Sequence, residues 1–346
     1  MKKIVFIFCF SALSIFSFSQ TDQKNSIGNN IGRDYNVTYN ITNSDSDELK
    51  NKIEELQDEL NKLKIESNYD LDDWLQKAIS EIEKKKYKNA CNSFTRALTF
   101  SPNNARIYNI RGDLYSKLNN EDKAFEDFTK AINLAPNDTF LTEAYSGRGS
   151  IYFDKKQYNN AIADFNKLIE FSPNWHGAYA SRGYVYLLIK QYDNSLSDFN
   201  KEISHDSLSS WAYWFRADLY SDLKEYEKAK SDYDKAIIIS PNNYDIYNAR
   251  GYFYNIFKKY EVAIIDFNRA IKFNPKYAYA YNNRGFAYYN LKQYVQALTD
   301  INESLLLDST NAMAYYNRGL VYDATKEIVK AKVDFAKAKE LDPTKY

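Results

Sequence analysis

The sequence predicts an all-α solenoid of about eight helix-turn-helix repeats, and three observations carry that prediction. An arginine followed by a small residue returns at a fixed interval. Arg148-Gly149, Arg182-Gly183, Arg216-Ala217, Arg250-Gly251, Arg284-Gly285 and Arg318-Gly319 stand 34 residues apart, with Arg111-Gly112 offset by 37. Aromatics lead each unit in the same register, from Trp74 and Tyr108 through Tyr145, Tyr179, Tyr213, Tyr247 and Tyr281 to Tyr315. Pro102, Pro136, Pro173, Pro241, Pro275 and Pro343 close six units, where a proline stops a helix. A fixed period of this length marks a repeat array and overrides the two-domain expectation that 346 residues would otherwise raise.

Met1 to Ser19 reads as a secretory signal: Lys2-Lys3 form a basic start, Ile4 to Phe18 are mostly apolar, and Ser17 to Ser19 supply small residues before Gln20. The apolar run is short for a bilayer-spanning helix, which needs ~20 residues. The expectation is an exported protein of the periplasm or cell envelope; the alternative is anchoring by an uncleaved N-terminal helix. Ile7-Phe8 ahead of Cys9 are too bulky for lipoprotein-type processing. Residues 20–47 form a polar linker in which Val37, Tyr39 and Ile41 alternate with polar residues, the pattern of one short strand. Asn36 and Asn40 each open a glycosylation acceptor triplet. Over 48–66, Leu49, Ile53, Leu56, Leu60 and Leu63 set a heptad seam on one stripe of a helix. That seam suits either a coiled coil joining copies of the chain or a helix docked on the first repeat.

From 71 to 345 the repeats run on as 71–104, 105–138, 142–175, 176–209, 210–243, 244–277, 278–311 and 312–345, with Thr139-Phe140-Leu141 inserted between the second and third. In each, an aromatic and an Ala or Gly four residues on, followed three further on by Tyr in every unit but the first, which has Glu81, form one face of a first helix. A second helix repeats the logic, as in Ala229, Tyr233 and Ala236 or Ala263, Phe267 and Ala270. This pattern resembles the tetratricopeptide repeat family. The resemblance implies paired antiparallel helices stacked into a right-handed superhelix with a concave inner surface.

One departure from the family pattern is systematic: seven units have Arg where Leu is common. Each of these also has an Asp sixteen residues later, giving Arg111/Asp127, Arg148/Asp164, Arg182/Asp198, Arg216/Asp232, Arg250/Asp266, Arg284/Asp300 and Arg318/Asp334. The two positions lie about equally far on either side of the interhelix turn, so they face each other across the hairpin. The first unit lacks both, with Lys77 and Ser93 instead. A grouping repeated seven times is a structural ion pair, partly buried, and not a catalytic constellation. The last unit places Lys332 and Lys339 where others have apolar residues, as a solvated terminal face requires.

Chemistry is harder to find. His176 and His205 sit at unmatched positions without a Cys/His cluster, and no phosphate loop, nucleophile elbow or zinc spacing occurs, so neither catalytic residues, metal nor cofactor is expected. Lys and Arg number 46, as do Asp and Glu, and no basic stripe accompanies the aromatics, which argues against nucleic acid. With Cys9 in the leader, Cys91 has no partner for a disulfide. Glu202 replaces a small interhelix residue. Positions two, five, nine and twelve of each unit point away from the intra-repeat face, and the resemblance implies that they line the concave groove. They include Tyr184, Trp211, Trp214, Asn248, Tyr252, Asn255, Tyr279, Asn282, Phe286, Tyr289 and Tyr316. Aromatics with Asn suit a peptide or partner protein; the alternative is packing between neighbouring helices. A basic clamp for a peptide carboxylate is not evident, position two being Arg only at Arg106. The expected function is a non-enzymatic interaction scaffold, with an oligomeric envelope spacer assembled through 49–63 as the rival. That layout is similar to periplasmic division-associated proteins.

Overall fold

The computed structural model describes residues 69–346. The expected leader, the polar linker with its candidate strand and the heptad helix lie outside the described residues. Within them are sixteen α-helices and one short 3-10 turn, and no strand. The described residues fall into two compact units that divide between Gly147 and Arg148, inside α5 (Thr142–Asp154).

In the first unit, α1 (Leu71–Glu83) pairs with α2 (Tyr87–Phe100), and α3 (Ala105–Lys117) with α4 (Glu121–Leu134). Asp70 opens α1 through a capping box with Asp73, each side chain accepting from the other's backbone N–H at 3.0–3.1 Å. The repeat lacking the Arg/Asp pair has a substitute: Ser93 Oγ donates to Glu81 at 2.7 Å, while Lys77 lies over the Trp74 ring. The inserted residues form the 3-10 turn (Thr139–Leu141), and Arg106 covers Phe140 at 4.1 Å while its Nε donates to Asp138 at 3.1 Å. Arg106 thus secures the insertion. Cys91 is buried, and that burial pushes its thiol up to about 11, so it is an inert core group.

The second unit begins within α5 and continues with α6 (Tyr158–Phe171), α7 (Ala178–Leu188), α8 (Tyr192–His205), α9 (Ser210–Asp222), α10 (Tyr226–Ile239), α11 (Tyr244–Ile256), α12 (Tyr260–Phe273), α13 (Ala278–Asn290), α14 (Tyr294–Leu307), α15 (Ala312–Ala324) and α16 (Ile328–Leu341). Helices α7 to α16 pack as consecutive hairpins. Most bury a stripe of small and aromatic residues, such as Ala263, Phe267 and Ala270 on α12. Where the two helices of a hairpin meet, the small residue after the Arg is obligatory: a Cβ on Gly251 would lie 2.6 Å from the Phe267 ring. The leading tyrosines combine apolar bodies with satisfied tips, Tyr247 and Tyr281 donating to the carbonyls of Pro241 and Pro275 at 3.2–3.3 Å.

All seven Arg–Asp pairs are present as bidentate contacts, Nε and Nη2 each donating to one carboxylate oxygen at 2.6–2.8 Å. The pairs are partly buried, as expected, and unevenly so. Asp127, Asp164, Asp198, Asp232, Asp266, Asp300 and Asp334 are buried outright, at 3–7% exposure, and only the arginine ends keep some access to water. The reason is their place on the second helix, immediately before the core residues Phe128, Phe165, Phe199, Tyr233, Phe267, Ile301 and Phe335. Asp127, Asp232, Asp300 and Asp334 have both oxygens committed to Arg111, Arg216, Arg284 and Arg318, and the other three are held alike. These carboxylates are therefore interior parts of the scaffold and present nothing to a ligand.

The arginines reach further than an intra-repeat pair requires. Nη1 of Arg182, Arg216, Arg250, Arg284 and Arg318 donates to Asn166, Asn200, Asp234, Asn268 and Asn302 on the second helix of the preceding repeat. Flanking rings such as Tyr213 and Tyr220 lie 5.5–5.9 Å from the Arg216 guanidinium. Burial works against the charged guanidinium of Arg182, but the hydrogen bond and charge of Asp198 outweigh it and raise its pKa further. Burial also pushes the Asp198 carboxyl upward, with Arg182 pulling it back. The bidentate geometry makes this a charged pair at neutral pH.

Every intra-repeat turn passes through one residue in the left-handed region: Lys85, Asn119, Lys156, Lys190, Lys224, Lys258, Lys292 and Lys326, with φ of 56–63°. Lysine is strained there relative to Gly or Asn. Its cation, just past the C-terminus of the first helix, offsets part of that strain through the helix dipole. Glu202, the irregular residue of α8, is buried and its carboxylate accepts from the backbone N–H groups of Gly177 and Ala180 at 2.8 and 3.4 Å. Gly177, the residue before α7, has no side chain to cap it, and Glu202 fills that role from the neighbouring helix.

Candidate binding face on the first helices

The residues singled out at positions two, five, nine and twelve divide sharply by depth. Tyr252 is half exposed, at 50%, while Tyr184, Trp211, Asn248, Tyr279, Phe286, Tyr289 and Tyr316 are partly buried. Asn282, Asn255 and Trp214 are buried, at 0%, 6% and 7% exposure. The expectation that Asn282, Asn255 and Trp214 face an open groove is therefore corrected. Asn317 Nδ2 donates to Asn282 at 2.9 Å and Asn283 Nδ2 to Asn248 at 3.0 Å, while Asn255 Nδ2 donates to the Asn283 carbonyl at 3.0 Å. Consecutive first helices α11, α13 and α15 approach closely enough to turn these amides inward as cross-links. A buried amide without such a partner would lose its water for nothing.

What stays within reach of solvent is aromatic and acidic. Trp211 stacks on Trp214 with ring centres 5.1 Å apart, and Tyr184 stacks on Phe215 at 4.3 Å. Further along, Tyr277 packs edge-on against Tyr244 at 4.9 Å, and Tyr316 lies 4.7 Å from Tyr346. Along α9, Trp211, Trp214, Asp218 and Asp222 succeed one another at helical spacing, which places them on one stripe. Asp218 accepts the hydroxyl of Tyr233, itself buried on α10. The residue as a whole keeps some surface, but its carboxyl is turned inward to that phenol.

Asp218 is electrostatically unlike the Asp residues of the hairpins. Among the described residues no cation pairs with it. Burial raises its carboxyl from the ordinary 3.8 to about 7, opposed by the Tyr233 hydroxyl and reinforced by the charge of Asp222. The Trp214 indole also lowers it, yet its buried Nε1–H finds no acceptor in hydrogen-bond geometry. Burial and then the Asp218 charge push the Tyr184 phenol up, and Tyr233 rises for the same two reasons. Asp245 on α11 is raised by burial and held back by a hydrogen bond from Tyr277.

Two coupled departures marked this place in the sequence. The fifth repeat has Ala217 where its neighbours have Gly, and Tyr233 where they have Phe. The added hydroxyl is what reaches Asp218. The i−16 acceptors of the arginines were also periodic in the sequence, and only the pairing across repeats was missing. Other features lie apart from this face. A shallow, solvent-open depression of about 520 Å³ in the first unit is lined by polar residues around Lys77 and Glu81. His176 sits 3.5 Å from Asp206, and His205 lies edge-on to Tyr179. Among the described residues no group of three or more His, Cys, Asp or Glu side chains is placed to hold a metal ion. No described helix is long and apolar enough to cross a membrane.

Family profiles match this architecture. Those described as tetratricopeptide repeat match 105–138, 212–243, 278–311 and 312–345, and one described as TPR repeat matches 149–189 and 258–292, together more than half of the chain. The chain belongs to the tetratricopeptide repeat family. Repeats of this family are protein–protein interaction modules, and proteins built from them are typically non-enzymatic scaffolds. Solved structures agree in fold. A tetratricopeptide repeat protein from Parabacteroides merdae is similar with a TM-score of 0.61 at 18% identity, over 72% of this chain and 98% of that one. The APC/C hetero-tetramer Cut9–Hcn1 gives 0.59 at 18%, over 79% and 54%, and yeast Tom70 0.55 at 18%, over 80% and 62%. No curated protein matches the sequence.

Proposed function

We propose that this tetratricopeptide repeat protein is an exported, non-enzymatic scaffold that binds a peptide or partner protein along the first-helix face of its second unit. The observation that supports the reading most is the aromatic row left within reach of solvent from Tyr184 and Trp211 through Tyr252 to Tyr316, while the amides between those helices are spent on packing. Aromatic side chains that keep part of their surface open supply most of the energy in peptide recognition. Export follows from the leader-like residues 1–19, with the periplasm or cell envelope as destination.

The test is photo-crosslinking in the native envelope from position 279, in the wild type and in a Trp211→Ala/Tyr252→Ala variant. A defined partner lost from the variant supports the reading, and identical crosslinks from both overturn it. A second reading, an oligomeric spacer, draws on the heptad seam of 49–63 and on Val295, Leu306 and Val329, which are 77–79% exposed on the second helices. Light scattering with and without residues 20–66 tests it, a monomer in both forms being the contrary result.

A further inference from the structure

The strongest unexplained feature of the first-helix face is its charge. At positions two, five, nine and twelve of repeats 176–345 the ionisable acids and bases are Asp218, Asp245 and Asp323, with no Lys or Arg among them. The protein as a whole is balanced at 46 against 46, so an exclusively acidic binding face is not a reflection of composition.

Asp218 stands out within that set because the fold does nothing with its charge. Its hydrogen bond comes from the neutral phenol of Tyr233, which would be served equally well by an amide oxygen. Every buried hairpin Asp has its arginine, and Glu202 has a helix N-terminus. Asp218 has neither, although enclosing an uncompensated carboxylate is unfavourable. The groups facing it are Tyr233 from α10, Tyr184 from α7, Tyr252 beyond Tyr233 on α11, and on its own helix Trp214 and Asp222, the latter held down by the charge of Lys190. None supplies a positive charge to Asp218. Beside it lie the stacked rings of Trp211 and Trp214, the latter with its buried, neutral indole N–H acting on the Asp218 carboxyl. A carboxylate next to an indole face is complementary to a cation, which gains from both the charge and the ring quadrupole.

We infer, resting on the peptide-binding reading above, that the fifth repeat takes a lysine or arginine side chain of the partner, seated over Trp211 and paired with Asp218. The partner is then a basic segment, and the fifth repeat is where its register is set. Binding of the cation favours ionised Asp218, so affinity strengthens as pH rises from 5.5 to 7.5 and levels off above.

The test uses the full-length chain and five fluorescein-labelled nonapeptides of common Gly/Ala/Tyr flanks with Lys, Arg, norleucine, Ser or Glu at the centre. Fluorescence anisotropy at physiological salt is expected to give at least tenfold tighter binding of the Lys and Arg peptides than of the norleucine peptide, with the Glu peptide weakest. Asp218→Asn, which keeps the acceptor for Tyr233, is expected to abolish that preference and its pH dependence. Trp211→Leu is expected to weaken the basic peptides selectively, and Glu261→Gln, an exposed carboxylate at the start of the second helix α12, to leave them unchanged. Equal binding of all five peptides that is still lost in Trp211→Ala/Tyr252→Ala would overturn the basic-residue inference and keep the binding face. A basic preference that survives Asp218→Asn overturns the role of Asp218. Absence of binding by every peptide overturns the inference as well.

Discussion

Two sets of carboxylates in this molecule are turned away from water and keep opposite company. The seven hairpin Asp residues each meet an arginine through two hydrogen bonds of 2.6–2.8 Å, and in six of them the same arginine reaches back to the preceding repeat, Arg111 doing so through Thr95. Asp218, on the outer stripe of α9, meets only neutral groups, the Tyr233 phenol and the Trp214 indole. The first set is what a repeat array needs: identical bonds that close each hairpin and join it to its neighbour, so that stability accumulates along the chain. The second has no such return. A residue whose charge is unfavourable to the fold, placed among solvent-reachable aromatics, is what the proposed binding site would keep at the expense of stability.

The contrast predicts opposite signs for mutations. The largest effect is expected from breaking a hairpin pair: Arg250→Ala leaves the buried Asp266 without its cation, Asp234 keeping Lys230, and should destabilise the second unit by about 3–5 kcal/mol. Chemical denaturation measures it, with hydrogen exchange in α11 and α12 locating the loss. A change under about 1 kcal/mol would mean that the pairs are ornamental. Next in size, Gly251→Ala forces a methyl against the Phe267 ring and should destabilise by about 1–3 kcal/mol.

Asp218→Asn should go the other way. The folded carboxyl titrates at about 7 and the unfolded one at about 3.8. The folded state therefore holds a proton that the unfolded state gives up, and wild-type stability falls as pH rises from 4 to 7. The variant escapes that fall. It should match the wild type near pH 4 and exceed it by about 1–3 kcal/mol at pH 7.5. Thermal melts across this range check the sign. Smallest of all, Lys258→Gly relieves the φ of 56° but loses the cation at the end of α11, for a net gain of about 0.5 kcal/mol or less in the same melts. A larger gain would show that the dipole term is negligible.

Much of the architecture was legible because repetition amplifies weak signals. One Arg sixteen residues before an Asp means little; seven in register identify the partner, the hairpin and the turn between them. How deep the acidic ends lie was not legible, since Asp127, Asp232, Asp300 and Asp334 sink into the hairpin only once their second helices dock. The buried or open status of the first-helix positions was hidden in the same way. Asn282 and Tyr252 occupy equivalent stripes, yet one is sealed between α13 and α15 and the other is half exposed. That difference depends on how closely successive first helices approach, a property of tertiary packing that the period does not encode. Glu202 was visible as an exception but not as a cap, because its need arises from Gly177 on a different helix. Asp218 was visible only as one more acidic residue. Its meaning came from what the fold fails to place beside it.

The account turns on Asp218 being an enclosed carboxyl without a cation. Carbon-detected NMR of the Asp side-chain carboxyls, with Asp218→Asn to assign the resonance, measures this directly. The account predicts one carboxyl that titrates near pH 7 and shifts to lower pH when the lysine nonapeptide is added. A carboxyl at position 218 that titrates near its ordinary 3.8 in the free protein and is unmoved by the peptide would contradict it.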